Sequence, residues 1–207
     1  MRVLIADDHA VVRRGLKQIL LDEFGALEVG EAADAHETLR LAHARDWDLV
    51  VLDISMPGRN GLEVLKELKQ TRPRLPVLIL TTYPEEQYAV RVLKAGAAGY
   101  MTKEGAPEHL VEAVRRVTAG GRYITPTLAD LLVTNLAAAD RPPHEALSDR
   151  EFQVLRLIAS GKTVGQIADA LSLSPNTVST YRARILEKTG MKTNAELTHY
   201  AISNGLV

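Results

Sequence analysis

A chain of 207 residues with 46% apolar and 25% charged side chains and a formal net charge of −1 has room for two soluble domains, each burying its own core. It contains no cysteine, which excludes a disulfide framework and a thiolate metal site and suits a reducing compartment. The start, Met1-Arg2-Val3-Leu4-Ile5-Ala6-Asp7-Asp8, meets two acids too early for a secretory signal, and no apolar run approaches membrane-spanning length. A cytoplasmic protein that does not engage a membrane is expected. Residues 1–139 carry 17 basic against 19 acidic side chains and residues 147–207 carry 7 against 5, a small surplus compatible with a polyanionic partner at the C-terminal end. The six histidines show no metal-ligand spacing and read as solvated or packing residues.

Strand-like and helix-like patterns alternate through the first 120 residues. Strands are predicted over 2–6, 26–31, 48–53, 76–80 and 98–101, and helices over 10–21, 34–45, 61–70, 85–95 and 107–119. Five βα units of this length imply α/β architecture: a parallel sheet with helices on both faces, joined by right-handed crossovers. In the flavodoxin-like order 2-1-3-4-5, the first and third strands are neighbours across the switch point.

The third strand carries the strongest local signal. Leu49 to Leu52 is an apolar run with two β-branched members, consistent with burial on both faces, and it leaves Asp53 at the C-terminal tip. Open parallel sheets place their ligand crevice beyond that edge. The first strand ends in Asp7-Asp8, the fourth in Thr81, and Lys103 follows the fifth. Each has a plainer reading: Asp53 capping the turn Ser55-Met56-Pro57-Gly58, Asp8 capping the next helix, Thr81 and Lys103 as ordinary strand and surface residues. Together they are a site. Three carboxylates side by side raise one another's pKa unless a cation sits among them, and an oxygen-rich, incomplete shell suits Mg²⁺. Lys103 and Thr81 offer a point charge and a hydroxyl to phosphoryl oxygens.

Gly120-Gly121 stops the fifth helix. Thr125-Pro126 opens another, with Leu128, Leu131, Leu132 and Leu136 at helical spacing, and residues 137–146, holding Pro142-Pro143, read as an extended linker. Four short helices follow. Ser148 and Glu151 form a capping box; Phe152, Leu155, Ile158 and Ala159 are the apolar face of the first helix, which stops at Gly161. The second helix spans 164–171, the turn Ser172-Leu173-Ser174 follows, and Ser174 caps a third helix over 176–189, closed by Gly190. The fourth spans 194–203. Val178 and Ile185 face inward in the third, leaving Ser179, Thr180, Arg182, Ala183, Arg184 and Lys188 outside. That is compatible with a helix-turn-helix and equally with a bundle that binds protein. Gly161-Lys162-Thr163 mimics the end of a phosphate-binding loop, but the earlier glycine would fall at Arg156, so that reading is rejected.

The set Asp7-Asp8, Leu52-Asp53-Ile54-Ser55-Met56-Pro57 with Gly61, Thr81, and Gly99-Tyr100-Met101-Thr102-Lys103 resembles the receiver domain of two-component response regulators. Leu147-Ser148-Asp149-Arg150-Glu151, Gly161-Lys162-Thr163, Ile167-Ala168 and Ser174 to Arg182 resemble the LuxR-type DNA-binding domain. Joined, the two are similar to the NarL/FixJ response regulators. The implied organisation is a receiver over 1–120, a connector over 121–147 and a helix-turn-helix domain over 148–207. The resemblance implies a transcription regulator whose own chemistry is self-catalysed phosphoryl transfer and slow autodephosphorylation at Asp53. A histidine kinase would phosphorylate Asp53, with Asp8, Asp53 and the Ser55 carbonyl holding Mg²⁺ and Asp7 assisting through water. Thr81 and Lys103 would contact the phosphoryl group, and Tyr100 would change rotamer as Thr81 moves. Phosphorylation would favour a homodimer. Ser179, Thr180 and Ala183 would face bases of double-stranded DNA, and Lys162, Thr163, Thr177, Arg182 and Lys188 would be phosphate or rim contacts. Many family members carry Lys where Ser179 stands, so guanine reading there is weakened. The alternatives fit less well. A haloacid-dehalogenase-like phosphohydrolase would carry a second acid at the place of Ser55, and a ligand-sensing LuxR-type regulator would need aromatic lining that a 4% aromatic content does not favour.

Overall fold

The structure, a computed structural model, describes residues 1–56, 59–137 and 142–207, with 135–137 described by their backbone alone. Pro57, Gly58, the side chain of Leu136 and linker residues 138–141 lie outside it. The chain divides into two compact units, Met1–Leu132 and Val133–Val207.

The first unit runs β1 (Arg2–Ala6), α1 (Ala10–Phe24), β2 (Glu28–Ala32), α2 (Ala35–Ala44), β3 (Leu49–Leu52), α3 (Gly61–Thr71), β4 (Val77–Thr81), α4 (Glu85–Lys94), β5 (Gly99–Thr102) and α5 (Ala106–Thr118). The five strands form one parallel sheet in the order β2-β1-β3-β4-β5. β3 and β4 are buried along their whole length, as central strands of a doubly covered sheet must be. Val3, Ile5, Leu49, Val51, Leu78 and Leu80 form one core with Leu16 and Leu20 of α1 and Leu110, Val114 and Val117 of α5. On the opposite face Leu4, Val50, Leu52 and Ile79 are fully buried, with the apolar faces of α2, α3 and α4 turned inward.

Most boundaries lie within a residue of the sequence reading, and the larger differences have local causes. α1 extends to Phe24 because its apolar face continues there, and it ends only at Gly25, whose φ of +57° suits glycine. β2 accordingly starts later, at Glu28, whose amide donates to Met1 O. His9, not Asp8, occupies the N-cap of α1, and no side chain caps that helix. The linker is not extended throughout: Pro143–Ala146 coils into a 3₁₀ turn.

α6 (Pro126–Ala137) begins with Thr125 Oγ1 accepting the Leu128 amide at 3.1 Å, the N-cap expected of that residue. The second unit contains α7 (Asp149–Ala159), α8 (Val164–Leu171), α9 (Pro175–Thr189) and α10 (Asn194–Ser203). Phe152, Leu155 and Ile158 pack with Ile167, Val178, Ile185, Leu197 and Ala201 as its buried core. Between α8 and α9 the chain turns through Ser172 at φ +53° and ψ +47°, a left-handed conformation that costs a non-glycine residue roughly 1 kcal/mol.

Gly61 fixes how closely α3 approaches β3. A Cβ there would fall on the carbonyl oxygen of Asp53 and within 2.6 Å of Ile54 Cα, both backbone atoms that cannot swing aside. The expected outcome for Gly61→Ala is a loss of roughly 1–3 kcal/mol in chemical denaturation of the first unit. A midpoint equal to that of the parent would contradict the close approach.

Candidate functional site

Strand register brings the acids together. β1 and β3 pair with Ala6 beside Leu52, so the next residues, Asp7 and Asp53, come side by side at the same edge. The ladder continues one step further: the Asp53 amide donates to Ala6 O at 2.8 Å, the Asp7 amide to Ala32 O at 3.1 Å, and the Lys103 amide to Thr81 O at 2.8 Å. The backbone of each is therefore held by its neighbouring strand.

Asp7 and Asp53 are each 1% exposed. Lys103 Nζ lies between them, donating to Asp53 Oδ2 at 2.6 Å and standing 2.7 Å from Asp7 Oδ2. Asp53 Oδ1 accepts the Ser55 amide at 2.8 Å. Burial pushes the Asp53 carboxyl above its ordinary range and the Asp7 charge adds to this; the Lys103 and Ser55 hydrogen bonds oppose the rise without cancelling it. Burial by itself would lower the Lys103 ammonium, but Asp53 and Asp7 outweigh it and hold that group above its ordinary value.

Thr81, fully buried, shares a 3.2 Å hydrogen bond between its Oγ1 and Ser55 Oγ. The Tyr100 ring is buried too, and its hydroxyl donates to the carbonyls of Tyr83 at 2.8 Å and Pro84 at 3.3 Å. At the start of α4, Glu85 accepts from Thr125 Oγ1 with both carboxylate oxygens, at 2.8 and 2.7 Å. Neither Glu85 nor Thr125 stood out in the sequence as belonging to this region, because their partnership spans 40 residues.

Asp7, Asp8, His9 and Asp53 each offer one donor atom, all within 4.8 Å of one another. Asp7 Oδ2 and Asp8 Oδ1 are both buried atoms, the first 2.7 Å from Lys103 Nζ and the second 2.9 Å from His9 Nδ1. Carboxylate oxygens gathered this closely are suited to a hard cation, so this oxygen-rich set fits Mg²⁺. His9 is solvated, as the sequence reading has it, and it also adjoins the acids: its Nδ1 lies 3.2 Å from Asp7 Oδ1 and 2.9 Å from Asp8 Oδ1, and its amide donates to Asp7 Oδ1 at 2.8 Å. Adjacency to the acid pair was the signal available in the sequence.

In the second unit, Ser179, Thr180 and Ala183 are exposed on α9. Lys162 and Thr163 are exposed just before α8, where Thr163 also forms a capping box with Gln166. Thr177 lies in the first turn of α9, its amide and hydroxyl both against Ser174 Oγ. Arg182 and Lys188 have partners within the unit. Arg182 Nε donates to Asn194 Oδ1 at 2.6 Å, and Lys188 Nζ donates to Glu151 Oε2 at 2.6 Å. That same Glu151 oxygen accepts the Ser148 amide at 2.7 Å in the capping box, so one buried carboxylate joins the start of α7 to the end of α9.

Burial would raise the pKa of Glu151, but Lys188 and Ser148 more than offset it and hold the carboxyl below its ordinary value of 4.5. A lowered folded-state pKa contributes stability that is present above the unfolded value and lost as pH falls through the folded one. The second unit should therefore lose stability as pH drops below about 4.5, and Glu151→Gln should flatten that part of the profile. At neutral pH, Lys188→Met should cost about 1–2 kcal/mol, since it leaves a buried carboxylate short of a partner while water still reaches the site. Urea titrations across pH measure both, and a pH-independent difference between Glu151→Gln and the parent would refute the assignment.

Residues 3–115 match the response regulator receiver domain family, and residues 145–201 match the luxR family of bacterial regulatory proteins. The chain is 40% identical to the response regulator GacA of Pseudomonas aeruginosa, over all of this chain and 98% of that protein. It is 36% identical to the response regulator UvrY of Escherichia coli, over all of this chain and 95% of that protein. Among solved structures it resembles RcsB from Salmonella enterica serovar Typhimurium bound to promoter rprA in the presence of the phosphomimetic BeF₃⁻. That match has a TM-score of 0.66 at 29% identity, covering 98% of this chain and 99% of that one. Among the described residues no helix is long and apolar enough to cross a membrane.

Proposed function

The chain belongs to the NarL/FixJ family of two-component response regulators, joining a receiver domain to a LuxR-type DNA-binding domain, and on that footing we propose that Asp53 is its phosphoacceptor. The observation that carries the proposal is the buried Asp53 carboxylate held between Lys103 Nζ and the Ser55 amide, beside Asp7 and Asp8, at the edge where four strands end. The partner is a sensor histidine kinase. An Asp53 carboxylate oxygen attacks phosphorus, the P–N bond to the kinase imidazole breaks as the P–O bond forms, and the imidazole leaves with a proton from solvent. Lys103 holds Asp53 before transfer and can follow the new phosphoryl oxygens afterwards; the Thr81 hydroxyl, now shared with Ser55, can do the same. Asp8, Asp53 and the Ser55 carbonyl would hold Mg²⁺, with Asp7 assisting. The ion when bound would neutralise charge on the acids and the incoming phosphoryl group. Slow autodephosphorylation at Asp53 returns the resting state.

Lys162, Thr163, Thr177, Ser179, Thr180, Arg182, Ala183 and Lys188 are the residues we assign to double-stranded DNA. The exposed trio Ser179, Thr180 and Ala183 supports base contact by hydroxyl and methyl groups, and Lys162 and Thr163 support phosphate contact at the start of α8. The intramolecular bonds of Arg182 and Lys188 restrict them to rim contacts at most. Phosphorylation promotes a homodimer in the cytoplasm, and pairing two weak DNA-binding units on adjacent half-sites raises their joint affinity.

The hydrogen bonds of Tyr100 to the Tyr83 and Pro84 carbonyls and of Glu85 to Thr125 give the site a route to the connector. A rotamer change at Tyr100 releases the loop before α4, and Glu85 carries that motion to the cap of α6. For DNA selected from a random pool, a small phosphodonor should tighten binding by the wild type in gel shifts, while Asp53→Asn should neither take up labelled phosphate nor respond. Equal affinity with and without donor would remove the switch. Glu85→Gln should keep phosphate uptake while the phosphorylation-dependent gain in DNA affinity falls several-fold; an undiminished gain would exclude the connector route.

A further inference from the structure

We propose that Arg13 of α1 is a positioning residue for the acid pair, acting on Asp7 through its backbone. The Arg13 guanidinium meets the main chain of the acid pair: Nη1 donates to the carbonyl oxygen of Asp7 at 2.6 Å. Its Nε lies 3.5 Å from Glu31 Oε2 on β2, and Lys17 Nζ, one turn further along α1, donates to Glu31 Oε1 at 2.9 Å. The Arg13 side chain is only 15% exposed. Asp7 thus has both backbone polar groups fixed, its amide on Ala32 O at the end of β2 and its carbonyl on Arg13. Asp8 follows immediately, before an N-cap that makes no side-chain bond, so the peptide that Arg13 holds acts with Lys103 and the His9 amide in directing Asp7, and it sets where Asp8 begins.

Charge and geometry make opposite demands, which makes the role testable. Judged by Coulomb interaction alone, a buried cation one residue from a divalent-cation site weakens binding, and removing it tightens binding. If Arg13 instead orients Asp7 and Asp8, removing it spreads the donor directions and weakens binding despite the relief of repulsion, as loss of groups that orient metal ligands does elsewhere by 10- to 100-fold. The inference rests on the reading of the acid cluster as a Mg²⁺ site, and the experiment separates the two.

Binding of Mg²⁺ is measured by calorimetry, and of Mn²⁺ by electron paramagnetic resonance, on the full-length protein and on Arg13→Ala, Arg13→Lys, Glu31→Gln and Asp8→Asn. Expected are saturable binding to the parent, its loss in Asp8→Asn, a dissociation constant raised about 10-fold in Arg13→Ala, and smaller rises in Arg13→Lys and Glu31→Gln. Circular dichroism of each variant tests folding, and should Arg13→Ala not fold, Arg13→Lys decides, since it keeps the charge and changes only the geometry. Failure of the parent to bind either ion would overturn the metal site itself. Binding by the parent with equal or tighter binding in the folded Arg13 and Glu31 variants would leave the metal site standing and overturn the positioning role.

Discussion

The organising constraint is electrostatic. Asp7 and Asp53 are carboxylates at adjacent strand ends, both almost without exposure, and a chain that buries two such groups must supply a positive charge between them. Lys103 does so from the end of β5, two strands away from β3, and its amide is itself held by Thr81 O. The ammonium reaches both acids only if β1, β3, β4 and β5 keep their register, so the site reports on the sheet and the sheet on the site. A phosphoryl group or a cation arriving here enters a balance of charge already in place.

Much of this was legible in the sequence because it depends on short-range pattern. Leu49 to Leu52 read as a strand buried on both faces, and parallel order then placed Asp53, Asp7-Asp8, Thr81 and Lys103 along one edge. The capping box of Ser148 and Glu151 and the Ser174 cap were readable for the same reason, each requiring only three residues of separation. What escaped were contacts that lie outside any local motif. Arg13 to Asp7 O, Glu85 to Thr125 and Lys188 to Glu151 each depend on a charged side chain, that of Arg13, Glu85 or Lys188, that by itself looks like a solvated surface charge. Lys188 is the instructive case: by position on α9 it belongs with the outward-facing set, yet its long side chain returns to a buried acid on α7, a direction no helical wheel encodes.

Boundaries failed where backbone conformation prevailed over composition. The start of β2 was set by the Gly25 turn and by pairing with Met1, not by the apolar residues Ala26 and Leu27. Likewise Pro142 and Pro143 suggested an extended linker. However, Pro143 suits the first position of a helical turn, and His144 then meets Tyr200 through a 2.7 Å hydrogen bond to its hydroxyl.

The left-handed Ser172 has a consequence for how such a protein can diversify. The bend leading into α9 is set by main-chain torsion at one position outside the helix, and the helix end is secured by Ser174. Ser179, Thr180 and Ala183 take no part in either device. With those three residues assigned to DNA as proposed, their identities can be exchanged among descendants of a duplicated ancestor while the angle of presentation stays constant, so new operator preferences can arise by substitution at a few surface positions without rebuilding the scaffold behind them.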